Sequence, residues 1–248
     1  MKISGIVIAI NEEKKIGDCL ESLSWVDEIL VIDGGSKDKT VSISKKYGAR
    51  VVDYREGKDF SDRRNKGMRE AKGDWILYLD TDERVTPSLR DEILEVIKIH
   101  EFEAFAIPRR NFVLGSELKH GGMWPDYQKR LFRRDKLRGW KGELHEEPQF
   151  EGRLGHFKNS MIHLKHDKIS EMVEKTNLWS NIEAKLMHDA SHPKMNIPRF
   201  GSAIFREFWL RMIKQGAFLD GAVGIIYGLY QVYSKFVSYA KLWEMQMK

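Results

Sequence analysis

The stretch ILYLDTDE, residues 76–83, runs from apolar side chains straight into Asp80, Asp82 and Glu83. Two carboxylates at i and i+2, just past a buried strand, can share a hard divalent cation with the ligand that cation carries. Magnesium and manganese prefer oxygen donors and keep water and substrate phosphate in their shells. A D-x-D triplet alone is common, and its bland alternative is a strand-to-helix turn in which Asp82 serves only as a cap. The surroundings favour the cation. Asn11-Glu12 and Asp33 terminate two other apolar runs, so three strand ends bring polar groups to one edge.

The elements that must position these groups follow from the hydrophobic pattern. SGIVIAI (4–10) and EILVID (28–33) are short, Ile- and Val-rich runs, as expected of parallel strands buried on both faces. Asn11 is placed to cap a helix through about residue 24, and the glycines of GGSKDKT turn the chain into a second helix ending near residue 47. ARVVDY gives a third strand, 61–71 a polar helix and 75–80 a fourth strand. Thr86-Pro87 starts another helix, with proline at the favoured first position, and 103–108 forms one more strand. Alternating strands and helices over about 110 residues predict an open, mostly parallel α/β sheet flanked by helices. Ligands bind such sheets beyond the carboxyl ends of the strands. From 111 to 165 short β-like pieces, including 128–132 and 160–164, suggest sheet extensions and acceptor-side loops. A helix is expected over 169–188, a linker over 191–198 and two further helices as a C-terminal appendage.

Composition narrows the class. The chain has 248 residues, 42% hydrophobic, with net charge +5 and one cysteine, Cys19. A single cysteine excludes an internal disulfide framework and a cysteine zinc site. The mild basicity suits anionic ligands: nucleotides, phosphates or an acidic membrane surface. The N-terminus lacks the pattern of a signal peptide, and the uncharged segment 221–234 is shorter than the ~20 residues a membrane span needs. A cytoplasmic protein is expected. No G-x-G-x-x-G follows the first strand and no G-x-x-x-x-G-K-[ST] occurs, which disfavours a nicotinamide-type site and excludes a P-loop.

IVIAINEE, VIDGGSKDKT, RRNKGMREAKGDWILYLDTDE and RLFRR…GELHEE occur in the order seen in family 2 glycosyltransferases, which have a GT-A, Rossmann-like fold. The resemblance covers about residues 1–165. The continuation, with WKGELHE, MIHL and GAFLDGAVG, looks most like the bacterial lipopolysaccharide-core type, β-1,4-glucosyltransferases among them. The resemblance implies a UDP-sugar donor, a magnesium or manganese cofactor and a lipid-linked saccharide acceptor. It implies that Ala9, Asn11 and Glu12 line the nucleoside pocket, that Asp33 accepts a hydrogen bond from the base, and that Gly35 and Ser36 pass close to it. Arg64 would approach the donor and Asn65 would seat its helix; Asp80 would bind ribose or sugar, and Asp82 would ligate the metal.

Inversion at the anomeric carbon in one displacement needs one carboxylate base on the acceptor side. Many relatives carry Glu-Asp there; this chain has Leu144-His145-Glu146-Glu147. The subfamily pattern points to Glu146 with His145 beside it, Glu147 and His145 being rivals for the role. His163 is either an added metal ligand or a satisfied core residue, with His166 a weaker candidate. Arg130, within a basic stretch from Lys129 to Lys141, would face the donor diphosphate, and the same stretch lacks a nucleic-acid-binding module. Trp124 and Trp140 are sugar platforms or core.

In 200–214 the apolar positions recur at helical spacing with Arg199, Arg206, Glu207 and Lys214 opposite, an amphipathic helix. The aromatic- and lysine-bearing helix after Gly221 suits a bilayer headgroup region, or else packs on the catalytic domain or a second subunit. The division expected is a catalytic domain over 1–190 and an appendage over 191–248 that is membrane-interfacial or dimerising. The whole then resembles an inverting glycosyltransferase peripheral to the inner face of the cytoplasmic membrane. Two alternatives stay open: a sugar nucleotidyltransferase, and a non-catalytic nucleotide-sugar-binding membrane scaffold.

Overall fold

The computed structural model describes residues 1–99, 101–142 and 146–247. The elements are β1 (Ile3–Ala9), α1 (Ile16–Glu21), β2 (Glu28–Asp33), α2 (Thr40–Lys46), β3 (Arg50–Asp53), α3 (Phe60–Glu70), β4 (Trp75–Asp80), β5 (Glu83–Arg84) and α4 (Pro87–Val96). Next come β6 (Ala104–Val113), β7 (Ser116–Leu118), β8 (Asp126–Arg133), β9 (Leu137–Lys141), β10 (Glu147–Phe150), β11 (Leu154–His156) and β12 (Met161–His166). The chain ends in helices α5 (Ile169–Asp189), α6 (Ile197–Phe208) and α7 (Gly221–Gln246). A π-helical turn, Trp209–Lys214, continues α6, and a 3-10 turn, Ala217–Asp220, leads into α7.

Packing divides the chain into two compact units, residues 1–109 with 127–163 and residues 110–126 with 164–248. Helix α5 falls in the second unit, with α6 and α7.

The sheet runs β3-β2-β1-β4-β8-β6-β12-β5. Its first four strands are parallel, with Ala9 opposite Asp33 and Ile8 opposite Asp80. After β4 the pairing turns antiparallel. Both faces are covered. Ile3, Val7 and Ala9 of β1 pack with Ile16, Cys19 and Leu20 of α1 and with Leu89 and Ile93 of α4. Ile6 and Ile8, pointing the other way, pack with Leu30, Ile32, Tyr78 and Met68 of α3. This two-sided burial is why the strands are apolar runs rather than alternating ones. The chain builds β1, β2 and β3 outward in one direction, then returns to place β4 on the far side of β1. The carboxyl ends at that switch form the crevice where open α/β sheets take their ligands.

Two local expectations change. Asn11 does not cap a helix: its φ is 55°, and α1 starts five residues later with no side-chain cap at Lys15. The turn after β1 uses the left-handed conformation that asparagine tolerates, which spends the residue on the strand end instead. The residues 191–198, expected as linker, already contain the start of α6, capped by the Asn196 side chain with Pro198 in the first turn.

In the second unit, β7 pairs with the 111–113 end of β6, and Val113, Leu118, Met123, Met172 and Tyr227 share one core. Ala184, Met195, Ala203, Tyr239 and Leu242 form another among α5, α6 and α7. Among the described residues no helix is long and apolar enough to cross a membrane.

The closeness of α3 to the sheet gives a test. A Cβ on Gly67 would lie 2.7 Å from Cγ2 of the fully buried Ile6. Gly67→Val overpacks this contact and is expected to lower stability by about 1–3 kcal/mol in urea unfolding; an unchanged midpoint would show that α3 is free to shift.

Candidate functional site

The turns after β1 and β2 are stitched together by hydrogen bonds. The Asn11 backbone N–H donates to Ser36 Oγ at 2.9 Å, and Asn11 Oδ1 accepts from the Lys37 N–H at 2.8 Å. The Glu12 N–H donates to Thr40 Oγ1 at 2.7 Å, and the Gly34 N–H to the Ala9 carbonyl at 2.9 Å. Asp33 is buried and accepts from the N–H groups of Gly35 at 3.0 Å and Ser36 at 3.1 Å. Gly35 has φ 92°, and a Cβ there would meet Arg55 Cγ at 2.8 Å. The six residues expected to hold a nucleoside thus lie in one hydrogen-bonded patch, with its turn held by the side chain expected to meet the base.

Beyond β4 the polar groups form a charge lattice. Arg130 pairs with Oδ2 of Asp80 and, at 2.7 Å, with Glu83. Arg64 pairs with Oδ1 of Asp80 at 2.9 Å, and Arg109 with Glu83 at 3.2 Å. Glu83 is 0% exposed and also accepts the Asp80 N–H at 3.0 Å, closing the turn around Thr81. Desolvation pushes the Asp80 carboxyl up, but the charges of Arg130 and Arg64 outweigh it and hold it well below the usual carboxylate range. Burial disfavours the Arg130 cation in turn, and Asp80 and Glu83 more than restore it. Asp80 is therefore a fixed anion whose remaining lone pairs can accept from a ligand.

Arg64 is itself positioned from below. Its guanidinium lies 4.8 Å from the Trp140 ring centroid and 5.5 Å from that of Tyr78. The Tyr78 hydroxyl donates to the Arg64 carbonyl at 3.0 Å. Asn65, next in α3, donates to the Trp140 carbonyl at 3.0 Å and accepts its N–H at 2.8 Å, which ties α3 to β9. The Nε–Nη2 edge of Arg64 also reaches Glu146, with Nε 3.2 Å and Nη2 3.1 Å from Oε1. One guanidinium thus joins the carboxylates of Asp80 and Glu146, 66 residues apart in sequence. His145 lies outside the described residues.

Trp140 resolves to core: it is buried, with Tyr78 and Phe132 edge-on at 5.0 and 5.7 Å, so it supports Arg64 and offers no face to a sugar. Trp124 is exposed, in the second unit. Arg130 spends its charge on Asp80 and Glu83, while its buried Nε has no hydrogen-bond partner among the described residues.

Asp82 meets His163 across an antiparallel pairing. The register of β12 on β5 sets His163 opposite Glu83, which brings Nε2 to 3.6 Å from Asp82 Oδ2. A carboxylate oxygen and an imidazole nitrogen at that separation fit a manganese- or magnesium-sized ion whose remaining positions go to phosphate oxygens and water. Among the described residues no group of three or more His, Cys, Asp or Glu side chains converges on a metal position. His166 packs instead near Tyr227 and Tyr230 in the second unit.

The sequence reading gave no role to Glu83 or Arg109. Glu83 carried a signal: it stands three residues after Asp80, the reach of a side chain folding back onto a strand-end N–H. Arg109 carried none, because its partner comes from a distant strand.

Comparison with known proteins places this arrangement. Residues 4–154 match the family model of glycosyl transferase family 2. The lipopolysaccharide core biosynthesis glycosyltransferase LpsC of Rhizobium meliloti (strain 1021) is 26% identical over 255 residues, covering 98% of this chain and 93% of that protein. An uncharacterized glycosyltransferase of Rickettsia conorii is 24% identical over 264 residues, covering 100% of this chain and 92% of its own. The crystal structure of S. aureus TarS 1–349 in complex with UDP-GlcNAc aligns with a TM-score of 0.51 at 14% identity, over 100% of this chain and 92% of that one. The fold is of the GT-A type.

Two measurements check the lattice. Glu83→Gln leaves Arg130 and Arg109 short of a buried carboxylate and is expected to cost about 3–5 kcal/mol in urea unfolding; a loss below about 1 kcal/mol would show that the buried pairing contributes little. Asp80 has its folded-state carboxyl lowered, so its stabilisation is present above the ordinary value of about 3.9 and fades as pH falls through the lower folded value. The melting difference between wild type and Asp80→Asn should hold from pH 7 to about 4 and shrink below that. A difference that grows on acidification would reverse the sign.

Proposed function

The chain belongs to glycosyl transferase family 2, and from that premise we propose that it is an inverting transferase moving a hexose, glucose by preference, from UDP to a lipid-linked saccharide such as the lipopolysaccharide inner core. One observation carries the chemistry: Arg64 holds Asp80 at 2.9 Å and Glu146 at 3.2 Å, so a donor-side acceptor group and an acceptor-side base share one guanidinium. Glu146 takes the proton of the acceptor hydroxyl. That oxygen bonds to the anomeric carbon as its bond to the diphosphate breaks, and the electron pair leaves with UDP. Arg64 orients Glu146 throughout. Asp80, pinned by two arginines, accepts from a hydroxyl of the ribose or sugar, and Asp33, Gly35 and Ser36 bound the base.

Asp82, with His163, would hold a divalent cation, which supplies Lewis-acid stabilisation of the charge developing on the leaving diphosphate. The donor class is supported by the UDP-GlcNAc that TarS binds. The acceptor class is supported by the likeness to LpsC, which spans nearly the whole of both chains. The same reading puts the protein at the cytoplasmic face of a membrane, with the C-terminal helices at the lipid.

Thermal melting tests it. UDP with manganese at about a hundred times its dissociation constant should stabilise by ~2.7 kcal/mol and raise the melt by roughly 5–10 °C. EDTA should remove most of that shift, and so should Asp82→Asn. GDP, ADP and CMP should give less. A shift indifferent to EDTA would reject the cation, and no shift with UDP would reject the donor. Glu146→Gln should keep the UDP shift and lose at least a hundredfold in transfer rate; full turnover would remove Glu146 as base.

A further inference from the structure

The second unit carries a charge asymmetry with a place for it to act. Residues 191–248 hold eight lysines and arginines against three acidic residues, an excess equal to the net charge of +5 of the whole chain. The preceding 190 residues are balanced. Within the basic segment, α6 carries Arg199 and Arg206 two turns apart on one face, with Ser202 and Ala203 between them. Those residues line a pocket of about 150 Å³ together with His192, Met195 and Tyr239, and no carboxylate borders it. The segment before α6 is fixed: Gln246 of α7 accepts from the Met195 N–H at 2.8 Å and donates to the His192 carbonyl at 2.9 Å.

An apolar groove of about 630 Å³ lies along the same pair of helices, lined by Ile197, Pro198, Phe200, Phe236 and Trp243 among others. Phe200 and Phe236 meet across it at 6.2 Å. Ile197 is 88% exposed and Phe205 65%, a large uncovered apolar surface on a helix with a basic opposite side.

We propose that α6 and α7 dock on an anionic phospholipid surface, with acyl chains taken by the groove lined by Ile197, Phe200, Phe236 and Trp243 and headgroup phosphates met by Arg199 and Arg206 on the other side of α6. This rests on the membrane-contact part of the proposed function and names its ligand. The charges select the occupant. A second copy docking on this face would bring together two segments that each carry the same excess of five positive charges. A negatively charged lipid surface satisfies both halves of the site, because it presents phosphates and acyl chains together and attracts cationic residues near it.

Co-sedimentation of the full chain with vesicles decides. Vesicles of phosphatidylcholine mixed with phosphatidylglycerol should bind at least tenfold more tightly than phosphatidylcholine alone. Arg199→Gln with Arg206→Gln should erase that preference. Ile197→Ser with Trp243→Ser should weaken binding to both vesicle types. Equal binding to both vesicles by the wild type, or a preference that survives the arginine changes, would overturn the proposal. Displacement by inorganic phosphate at the headgroup concentration would assign the pocket to a free anion and overturn the lipid part. A dimer in light scattering that the Ile197 and Trp243 changes dissolve would assign the groove to a second copy. The UDP shift is read on the same samples. Variants that keep it are folded, vesicle binding without it rejects the transferase reading alone, and the shift without vesicle binding rejects this site alone.

Discussion

Burying Glu83 entirely beyond the carboxyl end of β4 is the constraint around which the site is arranged. A lone carboxylate there would be untenable, since removing an ion from water costs several kcal/mol even after relaxation. Arg130 and Arg109 answer it, and Arg130 then meets Asp80, which brings in Arg64. Each ion in this chain is satisfied by the next, so the geometry of Asp80 is set by groups behind it and not by the ligand. Such preorganisation is what a site needs if its dipoles are to point at developing charge without rearranging during reaction. The short β5 strand follows from the same constraint. Glu83 turns back to the Asp80 N–H, and the residues that make this turn pair with β12 and deliver His163 to Asp82.

The sheet and the ends of its strands were legible from residues 1–110 because each signal was local. Apolar runs of six or seven residues marked strands buried on both faces, and Thr86-Pro87 marked the start of α4 to the residue. Polar residues at Asn11, Asp33 and Asp80 then fell on one edge through the parallel register, which no local signal states but which β-α-β alternation implies. The hidden part was non-local. Arg109 sits in a strand that reads as ordinary sheet, and its role appears only when that strand reaches Glu83. Trp140 was open between sugar platform and core because an aromatic residue near a glycine looks the same in both settings; the stacked Arg64 above it decides for core. Asn11 misled because asparagine caps helices and also tolerates positive φ, and the second property won.

The C-terminal helices show the same limit from another side. Helical spacing alone identifies the amphipathic stretch from 200, whereas α6 starts at Ile197 with Pro198 in its first turn, where proline is favoured. Partition by packing then groups α5 with α6 and α7, where Thr176 donates to Tyr230 at 2.7 Å and Glu183 accepts from Ser238 at 2.6 Å. Contacts of this kind pair polar positions that look solvent-facing in sequence. On α6, Ala203 and Phe200 pack into the cluster with α5 and α7, while Ile197 and Phe205 stay exposed.

The ionisation state of Asp80 also narrows the chemistry. A carboxylate fixed between two guanidiniums and held well below its usual range is a poor proton acceptor at neutral pH, since a general base works best with a pKa near the operating pH. In the proposed reaction Asp80 would therefore serve by accepting hydrogen bonds, and the proton of the acceptor hydroxyl would go elsewhere. Asp82 faces His163, where a cation would claim its lone pairs. Glu83 is sealed from any substrate. Of the carboxylates joined through this lattice, Glu146 alone meets a single arginine and is not sealed, with about a fifth of its side chain exposed. How these three carboxylates are spent supports the proposed role of Glu146 over theirs, while Glu147, paired with Lys129, stays outside this lattice.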